Sequence, residues 1–168
     1  MRGFEQRIKS VFKPTLAIQR LMTVPGVGLT LAVVIALEVG DVTRFPDAER
    51  LASYAGTTPR VRASGGKTRY GRLRPDVNRY LKWAFIEAAN AICLMRGRHP
   101  HRHVSRLYER IARRKGHPKA VGAVARHLAE ATYWLLSKQE PYREPQSSAV
   151  SSTGDKRDFA MSSRKLEF

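Results

Sequence analysis

A chain of 168 residues carrying a formal net charge of +17 is long enough for one domain with a real core and too short for two of ordinary size. Its single cysteine, Cys93, excludes an intramolecular disulfide, points to a reducing cytoplasm and is most simply a small core residue on a helix. The longest apolar run, Leu29 to Leu37, is broken by Thr30 and is far too short for a bilayer, and no basic-then-apolar leader opens the chain, so no membrane is expected as a partner.

Taken in order, Phe4, Ile8, Val11 and Phe12 show loose helical spacing that Pro14 breaks, and residues 1–20 read as the end of a helical linker. Within that stretch, Thr15 begins a second helix that runs to Met22. A glycine turn, Pro25-Gly26-Val27-Gly28, joins it to a third helix from Leu29 to about Val39, with Leu29, Ala32, Val33, Ala36 and Leu37 expected on one face. Pro46 is placed to open the next helix, Leu51 and Tyr54 continue it, and Gly56 is placed to end it. Arg60 to Arg74, RVRASGGKTRYGRLR, then reads as a loop.

Val77, Tyr80, Leu81, Ala84, Ala88, Ala91, Ile92 and Met95 mark the longest amphipathic helix, whose repeated alanines predict close contact with another helix. Gly97 ends it. Val104, Leu107, Tyr108 and Ile111 line a further helix stopped by Gly116, with Arg102, Arg106, Arg110 and Arg113 forming a charged stripe on its other side. Pro118 opens the last helix, with Val121, Val124, Ala125, Leu128, Thr132 and Leu135 inward. From Glu140 to Phe168 the composition turns to Pro, Ser and balanced charge without period, which predicts a disordered tail. The expected fold is therefore all-α: one helical domain over 21–139, with no strands and no internal repeats.

The positive charge is concentrated. Arg60 to Lys82 holds eight basic residues against Asp76 alone, Arg96 to Lys119 holds nine against Glu109 alone, and these segments carry +15 of the +17. Such clustering favours a nucleic-acid backbone over an anionic membrane surface, because neither segment has the long apolar face of an interfacial helix. Arg60, Arg62, Lys67, Arg69, Arg72, Arg74 and Arg79 would repel one another unless a polyanion were present for part of the time.

Leu21 to Ala32, LMTVPGVGLTLA, matches a helix-hairpin-helix. Such a turn, here Pro25-Gly26-Val27-Gly28, directs backbone N–H groups outward at the start of a helix, where they and the helix dipole can hold a DNA phosphate without reading bases; the plain alternative is a helix–helix turn. Ser64, beside Gly65 and Gly66, is either an ordinary loop serine or a nucleophile whose alkoxide and pentacovalent phosphorus are stabilised by Arg60, Arg62, Arg69 and Arg72. His99, His101 and His103 alternate as zinc ligands can, but arginines interleave them and no cysteine or carboxylate completes the set, so phosphate contact or exposure is the expectation. No pair of carboxylates has a spacing that demands a two-metal site, and Glu38 and Asp41 read as structural at a helix end. Trp83, Tyr133 and Trp134 are expected in the core or against a partner helix, while Tyr70 and Tyr80 either stack on a base or pack.

The ordered series PGVG, ALEVGDVTRF, LASYAGTTP, ASGGK, NRYLKWAFIEAAN and AVGAVARHL, covering about Leu21 to Leu136, resembles the C-terminal domain of IS116/IS110/IS902-type insertion-sequence transposases. The resemblance implies DNA recombination in which this domain supplies a serine nucleophile, matched here by Ser64. It also implies a RuvC-like N-terminal domain that brings an acidic metal site, and a non-coding RNA that guides the choice of DNA. The expected partners are thus DNA, a guide RNA, and further copies or a RuvC-like domain. No cofactor is expected in this chain, since the divalent metal belongs to the RuvC-like domain. Asn78 matches a polar position that anchors the loop. Arg74-Pro75-Asp76-Val77 departs from the lysine and glycine usual before that Asn, so the join from loop to helix can differ. No stretch of this sequence matches the RuvC-like domain, which leaves a second expectation open: an inert DNA- or RNA-binding remnant or accessory of a transposase.

Overall fold

The computed structural model describes residues 13–64, 66–73 and 77–145. The expected helix before Pro14, the position of Arg74 and the tail from 146 onward lie outside these residues. The described chain is helical, as its periodicity predicts. Its helices are α1 (Leu16–Leu21), α2 (Leu29–Val39), α3 (Ala48–Tyr54), α4 (Arg79–Met95), α5 (His103–Lys115) and α6 (His117–Lys138), with a 3-10 turn at Val42–Arg44.

Local chemistry sets the ends of these helices. Thr15 caps α1 by accepting from the Ile18 N–H, Asp47 caps α3 through the Arg50 N–H, and Asp41 holds the 3-10 turn through the Thr43 N–H. That Thr43 contact keeps the Asp41 carboxyl below the usual carboxylate range. Helix α6 runs through the middle of the bundle and packs against α3, α4 and α5, while α2 packs on α1 and α4. Leu21, Ile35, Leu51, Leu81, Phe85 and Leu128 are fully buried, each worth about 1.5–3 kcal/mol relative to exposure. Ala84, Ala88 and Ala89 are buried as well, so the alanines of α4 mark close approach as expected.

Four expectations change. The described residues of the segment expected to be a loop, Arg60 to Ser64 and Gly66 to Leu73, lie in a β-hairpin: β1 (Pro59–Ser64) pairs antiparallel with β2 (Lys67–Leu73). On α2 the buried residues are Ala32, Ile35 and Val39, whereas Leu37 is 77% exposed. Nearly every side chain of that helix is apolar, so periodicity could not single out the face that packing selects. Trp83 and Trp134 are exposed and not core residues, and Tyr133 is half-buried with its hydroxyl donating to the Pro46 carbonyl; Tyr80, expected either to stack or to pack, is exposed. Residues 140–145 belong to the folded unit: Tyr142 packs against the core, although the tail was expected to begin at Glu140.

The interface of α5 and α6 contains two imidazoles, His103 and His127, with ring centroids 5.0 Å apart. Burial holds His127 down from 6.5 to about 4, with His103 adding to the effect, and its Nε2 is buried without a partner among the described residues. The unfolded chain takes up a proton on this ring below about pH 6.5, and the folded chain only near 4. Stability is therefore expected to fall as pH is lowered through that window, by about 3 kcal/mol in all from this group. Melting temperatures of wild type and His127→Leu between pH 7.5 and 4 check this, since the variant should lose the wild type's extra acid sensitivity.

Candidate nucleic-acid interface

Backbone pairing places Ser64 opposite Lys67, Ala63 opposite Thr68, Arg62 opposite Arg69 and Val61 opposite Tyr70, with an irregularity between Pro59 and Val61. Ser64 is thus the last residue of β1 before a two-residue Gly-Gly connection, where Gly66 has φ +74°. Residues two apart share one face of a strand, and directly paired residues share that face across the ladder. By register, Arg62 with Arg69 and Ser64 with Lys67 are alternate pairs of this ladder. The two strands pack against each other.

Its roots are firmly held. On the incoming side, Thr57 is buried, and both its backbone N–H and its hydroxyl donate to the Ala52 carbonyl. Gly56 has φ +67°, and a Cβ there would overlap the Val77 side chain on the outgoing side, so the two roots approach more closely than any other residue type allows. Asn78 joins the outgoing root to three helices. Its Oδ1 accepts the N–H groups of Tyr80 and Leu81, both at 3.0 Å, which caps α4. Its Nδ2 donates to Glu38 Oε2 at 2.6 Å and to the Tyr54 hydroxyl at 3.3 Å, and its backbone N–H donates to the Tyr54 carbonyl at 3.1 Å. Arg44 completes the group by donating to the Glu38 carbonyl and lying over the rings of Phe45 and Tyr54. The Tyr54 phenol is held below the usual tyrosine range, first by Asn78 and then by Arg44. Asn78 and Glu38 thus take the structural roles read from the sequence; the parts played by Arg44 and Tyr54 were missed, because helical periodicity marked Tyr54 only as continuing α3 and gave no sign of its contacts with Asn78 and Arg44.

The turn from Met22 to Gly28 has one face on the protein and one towards solvent. Val24, Pro25 and Val27 are buried, Gly28 and Thr30 are exposed, and Gly26, with φ +78°, lies against the Ala88 backbone of α4. Gly28 is the N-cap of α2 and supplies no side chain to the first-turn N–H groups. A cleft beside this turn is lined by Gly26, Met95, His99, Arg102 and Ser105 among others, so the turn and the head of the arginine stripe meet at one place. Beyond it along α5, Arg106, Arg110 and Arg113 are exposed, and among the described residues no carboxylate pairs with them. Arg79 is the exposed first residue of α4.

Not everything converges. The hairpin positions Arg60, Arg62, Ser64, Lys67, Arg69 and Arg72 form one group on the backbone ladder, whereas Pro25 to Gly28 with Arg102, Arg106 and Arg110 form another. The three alternating histidines separate: His99 and His101 meet edge to face at 6.3 Å, while His103 turns to His127. Among the described residues no three His, Cys, Asp or Glu side chains assemble into a metal site. None of their helices is long and apolar enough to cross a membrane.

A profile of the Transposase IS116/IS110/IS902 family matches residues 18–105, more than half of the chain. The chain belongs to this transposase family. The match takes in both the glycine turn and the whole hairpin. Among curated relatives, the transposase for insertion sequence element IS1111A of Coxiella burnetii is 29% identical over 147 residues, covering 83% of this chain and 38% of the relative. The insertion element IS110 uncharacterized 43.6 kDa protein of Streptomyces coelicolor is 34% identical over 137 residues, 80% of this chain and 32% of its own length. The insertion element IS116 protein of Streptomyces clavuligerus is 29% identical over 134 residues, with 79% and 32% covered. The chain therefore spans about a third of the length of these family members.

Proposed function

We propose that this chain is the DNA-engaging, strand-cleaving part of an insertion-sequence transposase, with Ser64 as nucleophile. The observation that carries this reading is the hairpin register, which sets Ser64 opposite Lys67 and Arg62 opposite Arg69 within a segment covered by the family profile. Ser64 attacks a backbone phosphorus: an Oγ–P bond forms, a P–O bond of the strand breaks, and the serine proton ends on the released DNA hydroxyl through solvent. One phosphodiester replaces another, so the link conserves the energy needed to rejoin strands. The surrounding guanidinium groups stabilise the charge that develops at phosphorus.

Pro25 to Gly28 acts as a helix-hairpin-helix turn, presenting the uncapped N–H groups of α2 to a phosphate next to Arg102, while Arg106 and Arg110 follow the same backbone. Glu38 accepts from Asn78 and Asp41 from the Thr43 N–H, and neither carboxylate is assigned a metal in this reading. A divalent ion belongs instead to a RuvC-like domain that works with this one, in an assembly that includes further copies, in the cytoplasm. A guide RNA draws on the same cationic surface.

Replacing Arg102, Arg106 and Arg110 together by Gln is expected to flatten the log–log salt dependence of DNA affinity by about one unit for each phosphate that is no longer neutralised. Titrating a labelled duplex against both proteins at several salt concentrations measures the slope. An unchanged slope would show that the stripe faces elsewhere, and tighter binding of single-stranded RNA than of duplex would assign the surface to the guide.

A further inference from the structure

The six residues after α6 return across the surface just described. Gln139 adopts φ +55° and ends the helix, and the Glu140 N–H donates to the Leu135 carbonyl. Pro141 cannot continue a helix. The Tyr142 ring then packs against the core and its N–H donates to Thr23 Oγ1 at 2.8 Å, a contact between residues 119 apart. Two residues on, Glu144 Oε2 accepts the His103 N–H at 2.8 Å, across 41 residues. One end of this strap therefore touches the chain two residues before Pro25, and the other touches the first turn of α5 beside Arg102.

The chemistry of the second contact resembles that of a bound phosphate. Helix α5 has no cap of its own: Arg102 stands at the N-cap without a side-chain bond, and the first turn contains no acid. Glu144 supplies the missing anion at the positive end of the helix dipole, next to the row of arginines. His103 registers its surroundings, for burial lowers its pKa and Arg106 and Arg110 lower it further, while the Glu144 carboxylate works against them. Burial, and then Glu144, push the Tyr142 phenol up, in keeping with a ring seated against the core. A carboxylate on that helix end and a duplex phosphate on the same helix end exclude each other.

We propose that residues 140–145 form an autoinhibitory strap, in which Glu144 competes within the molecule against nucleic-acid phosphate for the surface joining the glycine turn to the arginine stripe. The proposal rests on the reading that this surface contacts DNA. An internal competitor raises the apparent Kd in proportion to the closed fraction, so releasing it recovers that factor.

The test uses the full chain and a labelled duplex. Glu144→Gln and Tyr142→Ala are each expected to tighten binding by about 3- to 10-fold at a fixed salt concentration. Glu140→Gln makes the same change in charge outside the strap's anchor points and is expected to change affinity less than 2-fold. In hydrogen exchange, the Tyr142 amide should lose its protection when duplex is added to wild type. Equal affinities for wild type and Glu144→Gln overturn the strap, as does an equal gain from Glu140→Gln or a Tyr142 amide that stays protected in the complex. Loss of affinity in Glu144→Gln would make the strap part of the interface and equally defeats the proposal. The underlying DNA reading fails separately, when neutralising Arg102, Arg106 and Arg110 leaves affinity and salt slope untouched.

Discussion

On the proposed function the wild-type chain forms a covalent protein–DNA species when combined with a RuvC-like domain of the same family, and Ser64→Ala is expected to abolish it. The loss should be complete by denaturing gel, because the methyl group leaves no nucleophile in place. DNA affinity should change by less than about 2-fold, since the phosphate is held by guanidinium and backbone N–H groups and the hydroxyl adds little ground-state binding. This separation distinguishes a nucleophile from a residue that merely shapes the hairpin. Position is compatible with the role: five residue steps from Pro59 carry Ser64 about 17 Å along β1, out to the turn. Replacing Arg62 or Arg69 should slow adduct formation by about 100-fold while leaving the serine competent, as expected for groups that stabilise developing charge. An undiminished adduct from the alanine variant would remove Ser64 from the chemistry.

What could be read from the sequence divides along physical lines. The ends of α2 were legible because Gly28 and Gly40 bracket a mostly apolar run, and the inward face of α6 because Val121, Val124, Ala125, Leu128, Thr132 and Leu135 repeat with helical period. Which face of α2 is buried was not legible, since a helix apolar all round leaves the choice to its neighbours. The hairpin was missed although a Gly-Gly pair between two runs is a turn signal. Its alternating positions are Arg60, Arg62, Lys67 and Arg69, not a row of apolar residues, and the pattern of a half-buried strand was hidden within a pattern of charge. The strap was missed for a different reason. A single tyrosine between prolines and charges has no period, and its docking depends on Thr23, 119 residues away. The site residues themselves came from chemistry and family resemblance, and the structure added how they are grouped: a ladder around Ser64, and a separate surface where Gly26 meets Arg102.

The glycine turn offers the second large effect, and its two glycines should respond in opposite ways. Gly26 sits at φ +78°, where an L side chain costs about 1–2 kcal/mol, and a Cβ there would overlap the Ala88 carbonyl oxygen, which belongs to a buried helix backbone and cannot give way. Gly26→Ala should therefore destabilise the domain by about 3 kcal/mol or more and lower its melting temperature by about 10 °C. Gly28 has extended backbone angles and open space where its Cβ would lie. Gly28→Asp should fold at least as well as wild type, because aspartate at the N-cap accepts a first-turn N–H and complements the helix dipole. The same carboxylate would occupy the N–H groups assigned to a DNA phosphate and repel it, so duplex affinity should fall about 10-fold or more while stability holds. Thermal melts and duplex titrations on the two variants separate the roles. A Gly28→Asp protein that melts as wild type and still binds as wild type would show that the turn carries helices and not DNA. A Gly26→Ala protein of unchanged stability would show that α4 does not hold the turn as closely as its alanines imply.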